Sequence, residues 1–132
     1  MSTKLSIKTP NAPQAIGPYS QAIKKDSLVF ISGQIPLVPR TAELVGTDLA
    51  EQTHQVFKNL QSVAEASGGG LNDIVKLTIY MTDLSAFEIV NKIMTSYFIE
   101  PYPARATIEV SALPKSALVE VEAILALSLI HI

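Results

Sequence analysis

The chain has no cysteine, which removes disulfides, thiol nucleophiles and thiolate metal sites from consideration and leaves the redox compartment open. It has only two histidines, His54 and His131. A serine–histidine–carboxylate triad would have to use one of them, and no nucleophile-elbow sequence accompanies either. His54 falls on a helix without a second ligand at metal spacing, and His131 falls in the tail, so a metal centre is not expected. Aromatic residues make up 6% of the 132 and are not interleaved with basic ones, so a base-stacking platform has no support. Charge is sparse as well: 17% of residues are charged and the net charge is −2, which gives no footprint for nucleic acid or an anionic membrane. No long apolar leader follows Met1, so the cytoplasm is the expected location. The apolar run Ala123 to Ile132 is too short for the ~20 residues of a membrane span.

What the chain has in abundance is apolar side chains. The hydrophobic fraction is 48% and the mean hydropathy +0.31. A single domain of this length buries about two thirds of its unfolded surface, and a sequence this apolar is expected to hide more of it in an oligomer. No repeat, low-complexity tract or linker divides residues 1–132, which read as one domain.

Hydrophobic period and turn residues define the elements. Leu5 to Lys8 is a weak opening strand, Asn11 to Pro18 a loop rich in proline, and Ser20–Lys25 and Ser27–Ser32 are strands joined at Lys25-Asp26. Asp48 caps a helix, with Glu51 at capping-box spacing and Leu49, Val56, Leu60 and Val63 as its stripe. Ser67-Gly68-Gly69-Gly70 ends that helix; the triple glycine follows a helix and lacks the context of a phosphate loop. Ile74 to Met81 is a strand with Val75, Leu77, Ile79 and Met81 inward. A second helix starts at Asp83 or Ser85 and carries Phe87, Val90, Met94, Tyr97 and Phe98, with Glu100-Pro101-Tyr102-Pro103 as its stop. The predicted class is α+β: a mixed sheet with two helices packed on one face.

The last two strands carry the chemistry. Alternation puts Arg105, Thr107 and Glu109 on one side of the first, and Glu120 and Glu122 on one side of the second. An arginine fork able to grip a carboxylate, on a strand expected to neighbour one with an acid/base, suits a small organic acid. Both sets are expected on the sheet face away from the helices, with Lys76, Thr78 and Tyr80. On pattern alone, a solvated sheet face or a structural ion pair explains the same residues.

Four ordered blocks bear a resemblance to a known family: Ala12-Pro13-Gln14-Ala15-Ile16-Gly17-Pro18-Tyr19-Ser20-Gln21-Ala22, Ile31-Ser32-Gly33-Gln34-Ile35-Pro36, Pro103-Ala104-Arg105, and Leu113-Pro114-Lys115 running into Val119 to Ile124. On these the chain is identified as a member of the RidA (YjgF) family. The resemblance implies a chorismate-mutase-like subunit in a homotrimer with sites between subunits. It implies hydrolysis of the enamine and imine acids 2-aminoacrylate, 2-iminopropanoate and 2-iminobutanoate to 2-oxo acids and ammonia. It also implies a functional link to pyridoxal-phosphate (PLP)-dependent dehydratases, and no cofactor.

Carried onto this chain, Arg105 holds the substrate carboxylate and Glu120 manages protons for water. Tyr19, Ser32 and the backbone at Gly33 line the pocket, with Thr107 beside Arg105. Asn91 is expected to make a structural hydrogen bond, and Glu122 to be a solvent-facing or interface charge. Thr107 stands where many members have cysteine, the connection Ile99–Tyr102 is short, and the tail is more apolar than usual. A non-catalytic sensor of small carboxylates, and a ribonuclease or chaperone-like role, stand as alternatives.

Overall fold

The computed structural model describes residues 3–128; His131 and the end of the apolar tail lie outside them. The elements are β1 (Leu5–Ile7), β2 (Ala22–Lys25), β3 (Leu28–Gln34), α1 (Leu49–Ala66), β4 (Ile74–Met81), α2 (Phe87–Met94), β5 (Ala104–Glu109) and β6 (Val119–Ala126). This is a mixed α+β fold with the predicted order of elements. The strands form one sheet in the order β1-β2-β3-β6-β4-β5. Only β4 and β5 run parallel, joined through α2; the other neighbours are antiparallel.

Local chemistry sets most boundaries. The β2–β3 connection turns at Asp26-Ser27, with Asp26 at φ 55°, one residue later than Lys25-Asp26. The Asp48 carboxylate accepts the Glu51 N–H at 3.1 Å, satisfying one of the orphan donors at the start of α1. At the other end Gly68 takes φ 100° while the Gly69 and Gly68 N–H groups donate back to the Ala64 and Glu65 carbonyls, a left-handed stop that a side chain would strain. A short 3-10 turn, Leu84–Ala86, precedes α2, and its cap is Asp83, not Ser85: the Asp83 carboxylate accepts both the N–H (2.9 Å) and the hydroxyl (2.6 Å) of Ser85.

The core lies between the sheet and the helices. Val56, Phe57, Leu60 and Val63 of α1 and Val90 of α2 are fully buried with Leu77, Ile79, Val119, Val121 and Leu125 of the sheet. Each such side chain contributes about 1.5–3 kcal/mol by leaving water. Phe57 also meets Phe98 edge-on, with ring centroids 5.6 Å apart. Val75 does not point inward as its place in the alternation predicts. A bulge between Ile74 and Lys76 in the pairing with β6 resets the phase, burying Ile74 and leaving Val75 exposed.

The strand order overturns the expected neighbourhood of the two chemistry-bearing strands. β6 is central, between β3 and β4, while β5 is an edge strand. With Val119, Val121, Ala123 and Leu125 all buried, β6 has the apolar content of a central strand. β5 is tied to β4 by a parallel crossover and can only lie beyond it.

Candidate functional site

The register decides where the reactive side chains point. In β4–β5, Arg105, Thr107 and Glu109 pair with Leu77, Ile79 and Met81, residues of the helix-side core. In β4–β6, Glu120 and Glu122 pair with Tyr80 and Thr78, on the open side. Paired residues share a face, so Arg105 and Glu120 open from opposite faces of the sheet and do not meet within one chain. The common face expected for them is therefore corrected. Strand alternation gives two faces but does not say which one the helices cover. Arg105 can stand on the helix side because β5 is at the edge, and Arg105 itself is exposed.

Arg105 lies in an open cleft of ≈ 430 Å³ with Asn91, Met94, Thr95, Tyr102 and Pro103. Its Nη1 donates to Asn91 Oδ1 at 2.6 Å and reaches Met94 Sδ at 3.6 Å. The guanidinium carbon sits 5.0 Å from the centroid of the Phe87 ring, a cation–π contact. Asn91 Nδ2 in turn donates to Glu88 Oε1 at 3.4 Å, which fixes the orientation of the amide. Three contacts from α2 thus hold the arginine while leaving its remaining donors open to the cleft. Phe87 and Met94 read in the sequence only as members of the apolar stripe. Thr107 shares this face two residues along, and its Oγ1 is buried with no hydrogen-bond partner among the described residues.

Glu120 belongs to a second cleft, of ≈ 490 Å³, shared with Tyr19, Ser32, Gly33 and Lys115. The loop carrying Tyr19 is held by buried Gln21. Its amide donates to the carbonyls of Thr9 (3.1 Å), Ala12 (3.3 Å) and Pro13 (2.8 Å), and its oxygen accepts the Thr9 N–H at 2.7 Å. Such a fully used buried amide makes a rigid anchor. The Tyr19 hydroxyl accepts the Ile16 N–H at 3.4 Å, and Ser32 Oγ donates to the Ser20 carbonyl at 2.6 Å. An irregularity in β3–β6 between Ile31 and Gln34 leaves Ser32 and Gly33 without paired residues on β6. Here the Glu120 carboxylate leans over Gly33 so closely that a Cβ at that position would collide with Oε2.

The Glu120 carboxyl is pushed above the ordinary carboxylate range, first by burial and then by the negative charge of Glu122. Tyr80, its cross-strand partner, is also raised, by burial and by Glu122 and Glu120. Glu122 is exposed and lies outside the Glu120 cleft, beside Lys76 and Thr78. A carboxyl raised in this way and set in a cleft is a candidate for proton transfer. His54 has a partner that the sequence does not disclose: its Nδ1 is 2.9 Å from the Tyr97 hydroxyl, clamping α1 to the turn after α2. Among the described residues no three metal-ligating side chains converge, and no helix is long and apolar enough to cross a membrane.

Comparison with known proteins agrees along nearly the whole chain. The family model described as Endoribonuclease L-PSP matches residues 9–127. A RutC family protein of Pyrococcus horikoshii is 50% identical over 118 residues, spanning 89% of this chain and 94% of that protein. The 2-iminobutanoate/2-iminopropanoate deaminase of Dermatophagoides farinae is 44% identical over 124 residues, or 94% of this chain and 97% of that protein. The crystal structure of RidA from an Antarctic Psychrobacter superposes with a TM-score of 0.90 at 46% identity, covering 93% of this chain and 99% of that one.

Proposed function

This chain belongs to the RidA (YjgF) family, and on that footing we propose that it hydrolyses 2-aminoacrylate, 2-iminopropanoate and 2-iminobutanoate to 2-oxo acids and ammonia. The observation that carries the proposal is that an open arginine fork held by Asn91 and a carboxyl raised by burial occupy separate clefts on opposite faces of the sheet, which suits a carboxylate grip at Arg105 and proton transfer at Glu120. Neither half is sufficient for the reaction. A homotrimer that docks the Arg105 cleft of one subunit against the Glu120 cleft of the next would complete the site. The open sheet face supports such an assembly, since Leu28 and Phe30 remain 40% and 45% exposed there, with Lys76 and Glu122 alongside, too apolar in part to be left in water.

In the completed site the planar carboxylate of the imino acid receives two parallel hydrogen bonds from Arg105, which fixes the adjacent imine carbon. On the protonated imine, Glu120 takes a proton from water as the water oxygen bonds to that carbon and the C=N π pair moves to nitrogen, giving a neutral carbinolamine. The proton is then returned to nitrogen, the C–N bond breaks with its pair leaving on ammonia, and the hydroxyl proton passes to the Glu120 carboxylate and on to solvent as the 2-oxo acid forms. Tyr19, Ser32 and the Gly33 backbone bound the Glu120 side, and Thr107 brings a hydroxyl next to Arg105. Asn91 acts through Arg105 by holding it. The substrates are those that a PLP-dependent dehydratase releases, and the cytoplasm is the proposed place of action.

The test is release of 2-oxo acid and ammonia from an imine generated in situ by such a dehydratase. The proposal expects acceleration over the spontaneous rate, and a rate equal to that without protein would refute it. A carboxylate sensor would bind the 2-oxo acid without accelerating release. A ribonuclease would cleave RNA with Glu120→Gln as well as with the parent.

A further inference from the structure

The segment that leads into β6 carries an uncommon backbone. Lys115 (φ 59°, ψ 23°) and Ser116 (φ 60°) are consecutive residues in the left-handed region, where any residue with a Cβ is disfavoured. The segment is fastened at its exit. The Ala117 N–H donates to the Pro114 carbonyl at 3.1 Å, and the Leu118 N–H donates at 2.8 Å to Oε1 of buried Gln52, whose amide is itself tied to the Gly46 carbonyl at 2.7 Å. Strain that the surroundings enforce at two adjacent positions points to a use for the side chain so presented. That side chain is a lysine lining the Glu120 cleft, the only cationic residue among the described ones that does so.

Its charge is not engaged elsewhere: Lys115 makes no ion pair among the described residues. Glu120 is governed by burial and by Glu122, not by a neighbouring cation. The groups facing Glu120 are Tyr80 and Glu122 in the sheet, and Tyr19 and Lys115 around the cleft. Without Lys115, an anionic 2-imino or 2-oxo acid would enter this cleft against the Glu120 carboxylate with no cation to offset it.

We infer that Lys115 is a second cationic anchor for the substrate carboxylate, a point charge in the Glu120 cleft that draws in the anion which the Arg105 fork of a neighbouring copy then orients. The inference rests on the reading that the site takes small 2-oxo and 2-imino acids. Lysine suits the part because its ammonium attracts from a range of angles, whereas the planar guanidinium sets orientation.

The test is calorimetric affinity for 2-oxobutanoate, with the uncharged 2-oxobutanamide as control, for the parent and for Lys115→Gln, Lys115→Arg and Lys115→Gly. Lys115→Gln is expected to weaken 2-oxobutanoate about fivefold, as for a partly solvated ion pair, with the gap closing near 1 M salt, where screening reaches about 3 Å. Lys115→Arg should stay within about twofold of the parent. Lys115→Gly, which relaxes the backbone, should lose the same affinity as Lys115→Gln, and amide binding should be equal in all four. Parental affinity in Lys115→Gln or in Lys115→Gly would overturn the anchor, as would equal weakening of acid and amide, while leaving the deaminase reading intact. A parent protein that binds no 2-oxo acid would overturn both.

Discussion

Replacing Gly33 by alanine perturbs the proposed proton-transfer group without touching it chemically. The added Cβ would clash with Glu120 Oε2 and stand 2.9 Å from Cδ and 3.2 Å from Cγ. Gly33 is not in the left-handed region, so the backbone accepts alanine, and the clash falls on the far end of a flexible side chain. The fold therefore loses little, within about 1 kcal/mol. The carboxylate must withdraw by about 1 Å or more to reach ordinary contact. A displacement of that size at a reacting group costs about 10²-fold in rate, which is about 2.7 kcal/mol of transition-state stabilisation. Ammonia release from imine generated in situ reads the rate, thermal melting reads the fold, and 2-oxobutanoate affinity reads the Arg105 grip. The expected pattern is a rate down about a hundredfold with melting and affinity close to parental. A parental rate in Gly33→Ala would refute the placement of Glu120 over Gly33 as the working geometry.

The pH dependence follows from the same carboxyl. As a base Glu120 must be ionised, so the rate should fall with decreasing pH through a limb above the ordinary carboxylate value of 4.5, and Glu122→Gln, which removes a charge that raises Glu120, should move that limb to lower pH; an unmoved limb would exclude the coupling. Because the folded state binds this proton more tightly than the unfolded one, the stability it contributes is present at low pH and lost as pH rises through the folded pKa, so Glu120→Gln should melt higher than the parent at neutral pH while its turnover falls by about 10²–10⁴. Arg105→Lys keeps the charge but loses the fork and the Nη1 bond to Asn91, so severe loss of turnover with parental melting is expected; near-parental turnover would exclude the carboxylate clamp.

The sequence disclosed the parts that depend on neighbours along the chain. The Asp48 cap, the Gly68 stop and the stripe Val56, Leu60 and Val63 are local signals, and they stand where the residues placed them. What it hid depends on partners far away. Nothing in Ala104–Glu109 states that Arg105 will lie opposite Leu77 and so turn to the helix side; alternation is symmetric until the register is known. The central place of β6 between β3 and β4 was not read from the sequence either. The bulge at Val75 carries no sequence mark. Tyr19, Ser32, Gly33 and Glu120 share one cleft, and Arg105 Nη1 donates to Asn91 Oδ1. Lys115 stands in the last family block, but its left-handed conformation is visible only in the backbone.

Complementation between two inactive variants tests the divided site most directly. Arg105→Lys subunits retain Glu120 and Glu120→Gln subunits retain Arg105, so dissociating and reassociating an equal mixture should rebuild intact sites wherever the two kinds meet in the right order. With random assortment about one site in four regains both groups, and imine hydrolysis should return to about a quarter of the parental rate, while neither variant recovers when treated alone. A mixture no more active than its components, with assembly confirmed by sedimentation, would contradict a site shared between subunits.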